Sequence, residues 1–283
     1  MTIFHDPSCA EYGSSMRPEQ PARVVRTAEH LRRAHPEWEW RRPAMPDESV
    51  LLAGHAAALV DRIAHAPDID DDNPHFPGIE RHARRAVGAA LDAARHARAG
   101  QPAFSLMRPP GHHCTRTQAM GFCYLNQIAL AALQLAADGV RVAVWDFDAH
   151  HGNGTEDILD GRAGLFFASV HQFPGYPGTG TRSTANCRNH PVRPHTPRGQ
   201  HVAALARAWD EVLAFRPDLV LVSAGFDAYA RDPITAMTLE ADDFAELGRW
   251  LRQGSLPAAA ILEGGYSEDL PLLIDVFLSA WKQ

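Results

Sequence analysis

The sequence predicts an α/β domain in which helices cover both faces of a largely parallel sheet. Short apolar runs recur along the chain, as in strands that are buried on both sheet faces: residues 103–107, 140–146, 165–170, 219–224 and 258–262. Helical patterns lie between these runs: residues 79–99, 128–137, 202–215 and 241–253, with a last helix after Ser267. This alternation favours an open sheet with right-handed crossovers.

Each predicted helix has a recognisable stop or start. Glycine or proline follows the apolar-periodic residues of the first four helices: Gly100, Gly139, Pro217 and Gly254. Glu268 and Asp269 suit the positive N-terminus of the last helix. Residues 172–201 are rich in Pro, Gly and Thr, which predicts a long surface loop. Since neither a flexible linker nor an internal repeat interrupts the pattern, we expect residues 1–283 to form one domain.

Composition excludes several classes of function. The 283 residues carry a net charge of −7 with Lys282 as the single lysine, so we expect no direct binding of nucleic acid. No apolar run approaches the roughly 18 residues that would span a bilayer, so we expect no membrane association. The N-terminal residues lack a signal-peptide pattern, and the four cysteines lack paired CxxC spacing. We therefore expect a cytoplasmic protein without a disulfide framework.

Polar clusters follow the predicted strands, where ligands gather in open α/β sheets. Asp148 and His150 are two residues apart on an extended segment, so both side chains point to one side. Asp227 adds a third potential ligand after a separate strand. Three protein ligands leave a position open for water and substrate, which is typical of a catalytic metal site. The residues therefore indicate a divalent metal centre.

The ordered motifs RPPGHH, GFCYLN, DFDAHHGNGT, SVHQFPGYPGTG, GFDA, RDP and EGGY extend to Tyr266. In this order the chain resembles the histone deacetylase and acetylpolyamine amidohydrolase superfamily, in the branch shared by class II and bacterial deacetylases. The resemblance implies the arginase/deacetylase fold, with an eight-stranded, mostly parallel central sheet flanked by helices. It also implies a metal-dependent amide hydrolase that removes an acetyl or similar acyl group.

The resemblance implies two cations. Asp148, His150 and Asp227 would hold Zn²⁺, although oxygen-rich ligation also suits Fe²⁺ or Co²⁺. A structural K⁺ would lie beneath the zinc, bound by one hydroxyl and four backbone carbonyls: the Ser169 hydroxyl and the carbonyls of Asp146, Asp148, His150 and Val170.

The resemblance also assigns the catalytic groups. His112 and His113 would move protons between water and the departing amine, and Tyr266 would donate a hydrogen bond to the oxyanion. Family correspondence pairs His112 with Asp146 and His113 with Asn153. A carboxylate favours imidazolium whereas a neutral amide does not, so we assign His113 as the general base and acid.

The residues expected to bind substrate lie around a narrow apolar slot, which suits a methylene chain with an amide at its tip. Aromatic walls would come from Phe122 and Tyr176, with Ile234 as another wall residue. Gly121 and Gly265 would let the backbone approach the substrate, and Asp72 would grip substrate amides at the rim. The expected substrate is a small-molecule or peptidyl N-acyl amine, such as acetyl-lysine or acetylpolyamine.

Three alternatives remain. The first is an amidase for another small N-acyl compound. The second is an arginase-type ureohydrolase with two manganese ions, which would need an aspartate where this chain has Gly152. The third is a non-catalytic acyl-binding protein, against which the retained catalytic residues argue. His195 and Gln127 depart from the family pattern, and the sequence leaves the number of subunits open.

Overall fold

The computed structural model describes residues 1–65 and 67–282, and its centre is an eight-stranded sheet. The strands are β1 (Thr2–Phe4), β2 (Glu39–Arg41), β3 (Ala103–Ser105), β4 (Val142–Asp146), β5 (Leu165–Gln172), β6 (Cys187–Val192), β7 (Leu219–Ala224) and β8 (Ala258–Leu262). They lie in the order β2-β1-β3-β8-β7-β4-β5-β6, and every neighbouring pair is parallel. The predicted α/β class and eight-stranded sheet are confirmed.

Helices flank the sheet: α1 (Ala22–Ala34), α2 (Glu48–Leu52), α3 (Ala57–Arg62), α4 (Ile79–Arg98), α5 (Gln127–Ala137), α6 (Asn153–Leu159), α7 (Arg198–Phe215), α8 (Ala241–Gly254) and α9 (Leu270–Lys282). Alternate residues of β4 serve opposite faces of the sheet. Trp145 packs against Trp209 of α7 and Trp250 of α8, whereas Asp146 points to His112. The described helices include none with the length and apolar character that crossing a bilayer requires.

The prediction of an uninterrupted surface loop over residues 172–201 is wrong, because β6 lies inside it and α7 begins at Arg198. The proline and polar residues of β6 give it no apolar strand pattern. Pro191 is tolerated because β6 lies at the edge of the sheet. Side chains of the preceding segment cover the outer edge of β6. The N–H of Cys187 donates to Thr184 Oγ1 at 3.2 Å, and that of Asn189 donates to Ser183 Oγ at 3.0 Å.

Candidate active site

The predicted clusters meet at one edge of the sheet, because the carboxyl ends of parallel strands share that edge. Asp148 and His150 follow β4, Asp227 follows β7 and Tyr266 follows β8. The tandem histidines follow β3 across the sheet. Residues far apart in sequence are thereby brought to a single cavity.

Asp148, His150 and Asp227 form a buried cluster whose potential ligand atoms all lie within 4.8 Å of one another. His150 Nδ1 lies 3.1 Å from Asp148 Oδ1 and 2.8 Å from Asp227 Oδ2. The contact to Asp227 Oδ2 lacks hydrogen-bond geometry, so this buried oxygen has no donor among the described residues. Two buried carboxylates facing one imidazole, with one oxygen unpartnered, fit a divalent cation.

The backbone holds the outer oxygens of the two carboxylates. Gly264 N–H donates to Asp148 Oδ2 at 2.8 Å, and Ala149 N–H donates to Asp227 Oδ1 at 2.7 Å. A side chain at position 264 would collide with both carboxylates, so glycine is required for this close approach. The remaining oxygens are thereby directed at the centre of the cluster.

A second metal of the arginase type does not fit. The ureohydrolase pattern needs an aspartate at position 152, two residues after His150. A Cβ atom on Gly152 would collide with Asp146 Oδ2 and lie 3.4 Å from His112 Nδ1. An aspartate there would displace the Asp146 carboxylate from the histidine that it holds.

The tandem histidines have different partners. His112 Nδ1 lies 3.0 Å from Asp146 Oδ2, and His113 Nδ1 lies 2.8 Å from Asn153 Oδ1. Both side chains are buried, and their ring centroids are 4.0 Å apart. The structure therefore brings together both pairs that family correspondence predicts.

These partners give the two imidazoles opposite charge preferences. Burial disfavours the charged form of His112, but the carboxylates of Asp148 and Asp146 outweigh it and raise its pKa to about 10. Burial, together with the charges on His112 and His150, lowers the pKa of His113 well below its usual value. The surroundings thus favour the imidazolium form of His112 and the neutral form of His113.

The cluster lies at a cavity of about 240 Å³, lined by Asp72, His113, Gly121, Phe122, His150, Tyr176, Ile234 and Tyr266. The Phe122 ring meets Tyr266 edge-on at 5.8 Å, and Tyr176 meets His113 edge-on at 5.1 Å. A Cβ atom on Gly121 would come within 2.6 Å of the His113 ring, so glycine keeps this wall open. Burial raises the pKa of the Tyr266 hydroxyl well above its usual value, which keeps it protonated as a donor.

Gly265 is the one predicted substrate residue that is not among the residues lining this cavity. Its backbone has φ +114°, and a side chain there would meet Phe226 and Leu270. Packing behind Tyr266 therefore accounts for this glycine.

Three of the residues predicted to hold potassium lie in adjacent strands, and the other two, Asp148 and His150, follow β4. Asp146 of β4 is the register partner of Ser169 of β5, and Val170 is the next residue along β5. Ser169 Oγ lies 2.9 Å from His171 Nδ1. The Ser169 hydroxyl and the backbones of β4 and β5 thus lie next to the segment that carries Asp148 and His150.

The model of the histone deacetylase domain matches residues 17–275 of this chain. The chain belongs to the histone deacetylase family. A histone deacetylase-like amidohydrolase of Pseudomonas aeruginosa is 38% identical over a region covering 80% of this deacetylase and 65% of that protein. An uncharacterized Synechocystis protein is 38% identical over 88% of each chain. The crystal structure of an acetylpolyamine aminohydrolase from Burkholderia pseudomallei superposes with a TM-score of 0.91 at 25% identity, covering 99% and 98% of the two chains.

Sequence reasoning missed several residues that support the site of this deacetylase. Glu263 Oε2 accepts hydrogen bonds from the N–H groups of Gly111 (2.6 Å) and His112 (3.1 Å), which fixes the tandem-histidine loop. Burial raises the pKa of the Glu263 carboxyl to about 7. Arg23 donates to the carbonyls of Glu263 (2.5 Å) and Gly265 (2.7 Å). Glu263 could have been found as the acidic member of the EGGY motif, whereas no local pattern marks Arg23.

Asp232, also missed, holds two backbone N–H groups at the cavity wall. Its carboxylate accepts from Tyr266 N–H at 2.7 Å and from Ile234 N–H at 3.1 Å. The sequence signal was its place in the RDP motif.

His195 and Gln127, the two residues that depart from the family pattern, have distinct structural settings. His195 has φ +58°, the left-handed conformation that favours glycine. Gln127 is buried at the start of α5, and its amide group donates to the carbonyl of Pro109 at 3.4 Å. Both positions lie outside the cavity lining.

Proposed function

We propose that this deacetylase is a zinc-dependent amide hydrolase that removes an acetyl or similar acyl group from an N-acylated amine. The observation that carries the proposal is the meeting of Asp148, His150 and Asp227 beside a cavity that His113 and Tyr266 also line. Together these residues provide what metal-assisted amide hydrolysis uses: a cation site, a base and an oxyanion donor.

Asp148, His150 and Asp227 would hold the zinc, with Fe²⁺ or Co²⁺ as alternatives. When bound, such a cation polarises a carbonyl group and lowers the pKa of water. K⁺ would be held by the Ser169 hydroxyl and backbone carbonyls of Asp146, Asp148, His150 and Val170, an all-oxygen set that suits a hard cation.

His113 would act as the general base and acid. Its Nδ1 faces the Asn153 side-chain oxygen at 2.8 Å, which favours a proton on Nδ1 and leaves Nε2 free to accept one. Its low pKa keeps the ring neutral before the reaction. After Nε2 takes a proton from water, the same nitrogen can deliver it to the departing amine.

His112 and Tyr266 would stabilise charge. The His112–Asp146 pair maintains a positive charge beside the reacting group without exchanging its own proton. The Tyr266 hydroxyl would donate to the oxyanion that forms on the substrate carbonyl, in a buried environment where such a bond is strong.

The shape and charge of the cavity support an extended N-acyl amine as substrate, such as acetyl-lysine or acetylpolyamine. Apolar side chains of Phe122, Tyr176 and Ile234 would enclose a methylene chain, and Asp72 at the mouth would meet an amide or ammonium group beyond it. Asp72 belongs to a run of three aspartates that makes the mouth acidic, and partial burial with neighbouring Asp70 raises the pKa of its carboxyl. The alternative of another small N-acyl compound uses the same chemistry.

We further propose that residues 1–283 act as one catalytic domain, supported by the single sheet and one contiguous core among the described residues. The cytoplasmic location remains a prediction.

The decisive experiment is turnover on a panel of acetyl-lysine peptides, acetylpolyamines and small acyl amides, with metal-defined protein. We expect chelation to abolish hydrolysis and Zn²⁺ to restore it. Tight binding of acyl compounds without turnover would instead identify a non-catalytic acyl-binding protein.

A further inference from the structure

Asn73 directly follows the rim residue Asp72, yet its side chain is completely buried. Its Oδ1 accepts a hydrogen bond from Phe122 N–H at 3.1 Å, and its Nδ2 donates to the carbonyl of Cys123 at 3.0 Å. Both bonds go to backbone groups nearly fifty residues away. A buried amide that satisfies both its donor and its acceptor on one short segment ties the two segments together.

The segment that Asn73 contacts is a tight turn. Met120 and Cys123 exchange backbone hydrogen bonds of 3.1 and 3.0 Å, and the two residues between them, Gly121 and Phe122, have φ +55° and +67°. Positive φ at both central positions is typical of a type I′ turn, which favours Asn or Gly there. Gly121 adopts this conformation freely, but for the bulky Phe122 it is strained.

The strained residue is also a wall of the substrate cavity. The Phe122 ring lines the cavity and lies edge-on to Tyr266. Strained backbone of this kind persists where surrounding contacts over-determine it, and such residues concentrate at ligand clamps. Asn73 supplies a contact to the N–H of Phe122 itself.

We propose that Asn73 is a positioning residue that holds Phe122 in the left-handed conformation required for the cavity wall. It thereby sets how tightly this deacetylase grips the extended chain of its substrate. The inference rests on the proposed function only for its kinetic readout, because the tie between Asn73 and the turn is a property of the protein alone.

The chain offers matched variants. Asn73→Ala removes both hydrogen bonds to the turn. Asn73→Asp preserves shape and can still accept from Phe122 N–H, but it cannot donate to Cys123. Tyr124→Phe is the control, because the Tyr124 hydroxyl donates to the Pro74 carbonyl at 2.5 Å and so anchors the same segment without contacting Phe122 N–H.

For an extended acetyl-lysine peptide we expect Asn73→Ala to raise KM by about 5- to 30-fold, the range for releasing a left-handed non-glycine residue, with kcat changed much less. Asn73→Asp, which sets a buried carboxylate oxygen against the Cys123 carbonyl, should also raise KM, and Tyr124→Phe should leave KM within about 2-fold. In a Phe122→Gly background, where glycine adopts the turn without help, Asn73→Ala should add little. An equal KM increase in both backgrounds would overturn the proposal.

Hydrogen–deuterium exchange over residues 120–124 separates this inference from the proposed function. Asn73→Ala should accelerate exchange there in the substrate-free protein, while Tyr124→Phe should not. If the wild type hydrolyses no N-acyl amine but exchange behaves as expected, the function fails and the positioning role stands. Unchanged exchange together with unchanged KM in both Asn73 variants would refute the positioning role. Should Asn73→Ala fail to fold, Asn73→Asp supplies both readouts.

Discussion

The floor of the cavity and its mouth are built in different ways. At the floor, Asp148, Asp227 and His112 are buried, and strand ends and backbone N–H groups hold them in place. At the mouth, Tyr176 is 40% exposed and Ile234 38% exposed. Charges in a dry, fixed environment interact strongly, whereas solvated groups are screened. We therefore expect the reaction chemistry to depend on the floor and substrate choice to depend on weaker contacts at the mouth.

Removing a ligand at the floor should have the largest effect. We expect Asp227→Ala to lose its bound metal and to lower kcat by about 10⁴-fold or more, because metal catalysis supplies several kcal/mol. Elemental analysis of the purified variant measures this directly. Asp71→Ala, which removes an exposed carboxylate next to Asp72, should retain about one divalent ion per chain. Undiminished zinc content in Asp227→Ala would show that Asp227 is not a metal ligand. Two Mn²⁺ per active chain would contradict a mononuclear site.

The tandem histidines test which floor residue moves the proton. His113→Ala should lower kcat by about 10²–10⁴-fold, the range for a general acid–base group, and more than His112→Ala does. The pKa of His113 is lowered, so its active neutral form should persist as pH falls through 6.5, with activity lost only at lower pH. A pH–rate profile measures this limb. A larger loss in His112→Ala would reverse the assignment.

Tyr266→Phe removes one hydroxyl from the lining of the cavity. We expect kcat to fall by about 10²–10³-fold, as for the loss of one oxyanion donor, with fold and metal content unchanged. Steady-state kinetics alongside elemental analysis checks both parts. An unchanged kcat would mean that another group donates to the oxyanion.

The smallest effect is expected at the mouth. Asp72→Asn should lower kcat/KM for an acetyl-lysine peptide by about 5- to 150-fold. This corresponds to about 1–3 kcal/mol of transition-state stabilisation, the cost of losing a charged hydrogen-bond partner. A minimal acetamide, which offers no amide beyond the cavity, should be nearly unaffected. If kcat/KM falls equally for both substrates, or falls for neither, Asp72 does not bind substrate amides and belongs to a solvated turn.

Five of the six interior strands were predictable because burial on both faces leaves an apolar run, as in β4, β7 and β8. The sixth, β1, was missed, because only Ile3 and Phe4 of its three residues are apolar. The edge strands lack this signal. β2 has only three residues, two of them exposed, and the polar strand β6 contains Pro191. Local pattern therefore identified five central strands but neither β1 nor the two edge strands.

Within the site, the residues with distinctive chemistry could be predicted, while those that hold them could not. Asp148 and His150 are marked by their spacing. Arg23 and Asn73 act through hydrogen bonds to backbone groups distant in sequence, and a backbone acceptor leaves no trace in residue type. Such supports become visible only when the folded chain brings the segments together.

Gly152 has a consequence for how related activities can evolve from this scaffold. A codon change that introduces aspartate at this position would collide with Asp146 and disturb the charge on His112 before any second cation could be held. We expect such an intermediate to lose the proposed amide hydrolysis without gaining a second metal ion. We therefore expect a laboratory conversion to a binuclear site to require moving the Asp146 carboxylate as well as replacing Gly152.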